Sequence, residues 1–251
     1  MTQVRMTQAN MSQAAMTRRI WIAAALLALV LIIATLPMRL ALQITGAQDA
    51  GLSARSVTGS IWSGTLVDAR WRGAALGTLD AGLAPGGLLT GSARLDIARE
   101  SELLGALRGG LILNGWRGVA DMNGQVSLGA SLAGVPLDTL RLEAVEARFD
   151  SAGRCMAASG RVQLSIALPV PGLDLAGGLG GPLACRDGRA EAALASQSGM
   201  ERLTLSIDGA GRYRARLAVQ GSGDASVAAL LRAAGFLPAG NTLVLLHEGR
   251  L

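Results

Sequence analysis

Groups able to do chemistry are scarce in this 251-residue chain. The single histidine, His247, stands beside Glu248 four residues from the end, where a lone strand-end imidazole reads as a surface residue. No G-x-S-x-G elbow, Walker loop or H-E-x-x-H helix occurs. The glycine cluster at 177–181 lacks the spacing and following helix of a dinucleotide loop, so it reads as a loop or a strand kink. The carboxylates are scattered singly, with no defensible acid/base couple. An enzyme is not expected; no catalytic residue, metal site or cofactor is assigned.

Two cysteines remain, Cys155 and Cys185. Without a nearby histidine they cannot complete a zinc site. Either they form one disulfide, closing a loop of about 30 residues and stabilising by roughly 3–4 kcal/mol, or they are two buried thiols acting as small hydrophobes. Aromatic residues make up only 3% of the chain. Trp62, Trp71 and Trp116 can each bury roughly 200 Å2 as core anchors. Alternatively, Trp62 faces a partner or the membrane interface. Arg70 and Arg72 either stack on Trp71 or stay solvated.

The elements that position these residues begin with an uncharged run, Ile20 to Leu36 (IWIAAALLALVLIIATL), apolar all round. As a helix its 17 residues span roughly 26 Å, close to a hydrocarbon core of about 30 Å. A cleavable signal peptide is the alternative, but the run is long for an h-region and no clear A-x-A site follows. Arg18 and Arg19 precede it without an acidic neighbour, so the positive-inside rule keeps residues 1–19 in the cytoplasm and sends the chain from Pro37 onward across. The first 15 residues repeat a polar, Met-punctuated five-residue unit and are expected to be disordered; Met16 offers an alternative start.

All 23 basic residues are arginine. From Pro37 onward 20 of them face 18 Asp plus Glu, interspersed, so no basic stripe forms and nucleic acid is not an expected partner. High glycine, at 34 residues, with few aromatics suits short strands and tight turns. Gly59 to Trp71, Arg94 to Ala98, Gln125 to Leu128, Leu140 to Ala144 and Arg161 to Leu168 read as strands. Glu201 to Val219 predicts a hairpin about an Asp208-Gly209-Ala210-Gly211 turn, with Arg212, Arg214 and Arg216 outward. Asp224 caps a helix over 225–234 with apolar stripe Val227, Leu230, Leu231 and Ala234, and Gly235 ends it. Thr242 to Leu246 resumes as a strand. The expected fold is mainly β: one N-terminal transmembrane helix, then a curved antiparallel sheet with one or two short helices. Its parts are a cytoplasmic tail (1–19), a membrane anchor (20–36) and an exported domain (37–251).

Several segments carry a resemblance. VTGSIWSGT (57–65) resembles the V-x-G-T-h-W-S-G block of the type II secretion system protein N family. LAPGGLLTGSARLDI (83–97) is similar to its P-x-x-L-L-x-G-x-h-x-h segment, and residues 230–251 to its closing L-x-x-h-G … h-x-h-x-x-x-G-x-L. Cys155 and Cys185 fall where such proteins often carry a Cys pair. The chain departs from the pattern at Asp80, Ala81, Gly82 and Leu83, where the family tends to have Trp and Arg. The resemblance implies an inner-membrane, periplasm-facing accessory of a Gram-negative general secretion machine that exports folded proteins across the outer membrane. It acts by contact with other secretion components. The family also looks like AsmA-type β-groove proteins, which implies the alternative of binding or handling lipid.

Overall fold

The computed structural model describes residues 20–44, 51–71, 74–89, 93–113, 117–132, 135–166, 175, 177–220 and 225–250. Trp116, Arg18, Arg19, Arg72 and Asp224 lie outside them. Four short helices accompany one large antiparallel sheet: α1 (20–34), α2 (Met38–Ile44), α3 (Pro85–Leu89) and α4 (Ala225–Ala233). Three of these follow α1, where one or two were expected. Pro37 ends α1 and the apolar run restarts as α2, while Pro85 seeds the single turn of α3. Among the described residues no helix is long and apolar enough to cross a membrane.

The strands are β1 (Leu52–Ser53), β2 (Ser56–Ser60), β3 (Ser63–Trp71), β4 (Ala74–Leu83), β5 (Arg94–Arg99), β6 (Leu107–Ile112), β7 (Arg117–Leu132), β8 (Val135–Phe149), β9 (Cys155–Ile166), β10 (Leu179–Arg186), β11 (Arg189–Ala195), β12 (Glu201–Ile207), β13 (Arg212–Gln220), β14 (Leu237–Ala239) and β15 (Thr242–Arg250). From β3 to β13 each strand pairs with the next; β15 then joins β13, and β14 forms the far edge. β1 and β2 together line the near edge of β3. The expected β12–β13 hairpin forms, with Leu203 opposite Leu217 and Leu205 opposite Ala215. The glycine cluster, expected as loop or kink, turns at Gly177 and Gly178 (φ 73°) and then enters β10 with Gly180 and Gly181. Gly181 is needed there: a Cβ would lie 1.8 Å from the Ala193 carbonyl oxygen.

One face of this sheet is apolar from end to end. Leu66, Leu79 and Ala81 continue through Ile97 to Leu107, Met122, Val145, Val162 and Leu164, then to Leu194, Leu203, Leu217 and Leu243. Met38 of α2 covers one end, and Leu231 of α4 with Phe236 the other. Leu230, expected on the α4 stripe, is instead 57% exposed. Two short helices cannot cover so wide a sheet, so the face must curl onto itself to be this dry. Bulges supply the bend. Asp68, Asp121 and Ala144 have φ of 50°, 51° and 47°, each at a register shift in β3, β7 or β8.

The ladder lapses in two places. Between β9 and β10 it stops at Arg161↔Pro182, beside Gly160 (φ 105°), although both strands run on. The other gap follows from short β5 and β6. Past their shared end, Ala74 to Leu79 of β4 and Gln125 to Leu132 of β7 pair with no strand on that side among the described residues.

Candidate contact site at the helix–sheet junction

The VTGSIWSGT segment folds as the tight β2–β3 hairpin, turning at Ile61-Trp62 rather than running as one strand. Gly59 sits at φ +86°, and a Cβ there would lie 2.4 Å from the Ser63 carbonyl oxygen. Only glycine fits such a position without strain. Gly64 gives Met38 its seat, since a Cβ would meet Met38 Cγ at 3.0 Å. Gly82 passes so near the turn that a Cβ would lie 2.3 Å from the Trp62 carbonyl oxygen. The departure noted at 80–83 thus places a glycine where the hairpin needs one.

This hairpin clamps the end of α1. The last carbonyls of a helix have no partner within it. Here the Trp62 indole Nε1–H donates to the Ile33 carbonyl (3.1 Å), and the Ile61 N–H donates to that of Leu36 (3.0 Å). Pro37 bridges to Ser60, Leu83 N–H donates to the Ile61 carbonyl (2.8 Å), and Met38 is buried at 3% exposure. Trp62 is therefore a helix cap, half-buried, rather than a core anchor. Beyond the clamp α1 is bare: Trp21 is 72% exposed and Leu27 63%. Trp71 is 40% exposed, so it is not part of the buried core either.

Cys155 and Cys185 come together across the first lapse, with sulfurs 1.99 Å and Cα atoms 5.7 Å apart, the spacing of a disulfide. Phe149, Ala147 and Ala190 pack around them. The turns nearby share one construction. In D-x-A-G-R at 150–154 and again at 208–212, the aspartate accepts two backbone N–H groups and the Nε–H of its own arginine. The Gly209 N–H donates to the Gly153 carbonyl (2.9 Å), joining the two turns. The Arg154 backbone N–H, above all, holds the Asp150 carboxyl below its usual pKa. For Asp208, burial pushes upward but is outweighed by the Arg212 guanidinium and the N–H groups of Arg212 and Ala210, so its pKa also lies low. Arg189 reaches the same carboxylate at 3.5 Å.

His247 is half-buried on the inner face, 6.0 Å from the Tyr213 ring, rather than on the surface. Two residues with positional roles escaped the sequence reading, Met38 and Arg99. Arg99 had a signal. It shares strand parity with Leu95 and Ile97, an arginine on the apolar face.

The model of the family described as type II secretion system (T2SS), protein N, matches residues 50–242. No curated protein and no solved structure matches the chain. The match runs from just before β1 to the first residue of β15 and takes in the glycine-dependent hairpin: the chain belongs to the type II secretion system protein N family.

Proposed function

We propose that this protein is an inner-membrane accessory of type II secretion that acts by protein contact and has no catalytic step of its own. In this reading α1 and the residues up to Leu36 cross the bilayer once. Arg18 and Arg19 stay on the cytoplasmic side, and the sheet stands in the periplasm, where Cys155 and Cys185 can oxidise. The observation that carries the reading is the junction. A bare apolar helix is fixed to a sheet by Trp62, Ile61 and Met38, which suits a body held at a set orientation to a membrane. Membership of the family supports a place among the secretion components.

Two measurements test it. A reporter enzyme fused behind Leu251 is active only outside the cytoplasm, and a strain lacking the gene accumulates folded exoprotein in the periplasm. Normal exoprotein release from that strain rejects the secretion role. A reporter active only inside the cell rejects the topology.

A further inference from the structure

The second lapse in the sheet holds a buried charge. Arg99, at 2% exposure, donates from Nη1 to the Leu76 carbonyl (2.7 Å), from Nε to Gly105 (3.1 Å), and from Nη2 to Leu104 (2.9 Å) and Gln125. No carboxylate pairs with it among the described residues, and burial pulls its pKa below the usual guanidinium value. Two of the four acceptors belong to the 100–106 loop, which it fastens to β4 and β7. The loop is fixed further. Leu104 N–H donates to Ser101 Oγ (3.1 Å), Leu104 packs where Gly77 has no Cβ, and Gly105, at φ +73°, lies against Gln125. Leu104 turns in, and its neighbour Leu103 turns out, 95% exposed. Glu100 and Glu102 precede it in the same loop, both exposed. A lone surface leucine is ordinary. A leucine held out on a loop that a desolvated guanidinium keeps in shape, directly after two exposed carboxylates, is a different case.

We propose that the 100–106 loop is a preformed docking knob. Its partner is a protein whose receiving surface is an apolar socket rimmed by arginine or lysine, with Leu103 entering the socket and Glu100 and Glu102 meeting the rim. The loop joins the ends of β5 and β6 that lie away from the α1 junction and packs midway along β4 and β7. Preorganisation keeps the ordering cost of association low, and a central apolar anchor inside a charged rim is the usual anatomy of such contacts.

The test uses the full-length chain in its own host, with a photo-crosslinkable residue at position 103. Irradiation is expected to trap another envelope protein of the secretion machine through a peptide carrying Arg or Lys beside apolar residues. Glu102→Arg is expected to lower the adduct yield about tenfold. Leu103→Asp is expected to lower exoprotein release comparably at unchanged protein level, whereas Leu246→Asp, 57% exposed on β15, leaves it intact. An adduct to lipid, an adduct to a second copy of this chain, or no adduct overturns the knob. Wild-type release from Leu103→Asp overturns it too when the deletion strain is defective. A deletion strain that releases normally sinks the secretion reading, and the adduct still decides the knob.

Discussion

Two lapses interrupt the same sheet and are closed by opposite means. Between β9 and β10 the sulfurs of Cys155 and Cys185 span the gap, among apolar side chains beside the joined D-x-A-G-R turns. Between β4 and β7 a single guanidinium spans it, donating only to carbonyls. A covalent bridge acts largely on the unfolded chain, by shrinking its ensemble. A buried arginine acts on the folded state alone, where every acceptor it leaves becomes an unsatisfied group. The first device tolerates an imprecise surrounding, and the second fixes one loop geometry.

The sharpest way to break this comparison is Arg99→Met, which keeps the volume and removes every donor. It strands the carbonyls of Leu76, Leu104, Gly105 and Gln125 and is expected to cost about 3–5 kcal/mol. Urea unfolding of the purified full-length protein checks it. A change under about 1 kcal/mol would make the guanidinium incidental to the gap. Replacing both cysteines by alanine is expected to cost roughly 3–4 kcal/mol from loop entropy. Reductant should lower the thermal midpoint of the parent protein and leave that of the double variant where it is. Equal sensitivity of the two would deny the bridge.

Asp208→Asn gives a smaller effect, about 1–2 kcal/mol, since the amide keeps the turn's shape but loses the Arg212 and Arg189 charges. Here the sign with pH is fixed. The folded-state pKa of Asp208 is depressed, so its contribution is present above the unfolded value of about 4 and vanishes as acid titrates the folded carboxylate. The parent should therefore lose stability on acidification below about pH 4, and the variant should lose less. Smallest is Trp62→Phe, expected to cost about 1 kcal/mol by leaving the Ile33 carbonyl without the indole donor. Exoprotein release measured on that variant separates the clamp from the two gaps.

Much of this architecture could be read from residue types. The alternation of Leu203, Leu205 and Ile207 against Tyr213, Ala215 and Leu217 gave the hairpin and its wet arginine face, because no bulge disturbs its register. β7 and β8 were only glimpsed, as 125–128 and 140–144, because Asp121, Gly124 and Ala144 break the period of two along both strands. The strands are long, but their pattern resets at each bulge. β6 and β11 passed unseen for another reason: glycine and alanine carry little periodic signal on either face. Gly59, Gly64 and Trp62 were legible as a motif, yet their purpose was not. A cap on a helix 29 residues earlier leaves no trace in local spacing.

The clamp at Trp62 has a mechanical consequence. Because the last turn of α1 and the residues just after it are tied to the β2–β3 hairpin at Ile33, Leu36 and Pro37, a reorientation of the rod is passed to the body, which becomes a lever with its fulcrum at the Ile61-Trp62 turn. β7, at 16 residues, sets the length of the arm at up to roughly 50 Å. With α1 in a bilayer, a change in lean of about 10°, well within what hydrophobic mismatch produces, sweeps the far rim through roughly 9 Å. Lipid thickness would then aim the protein.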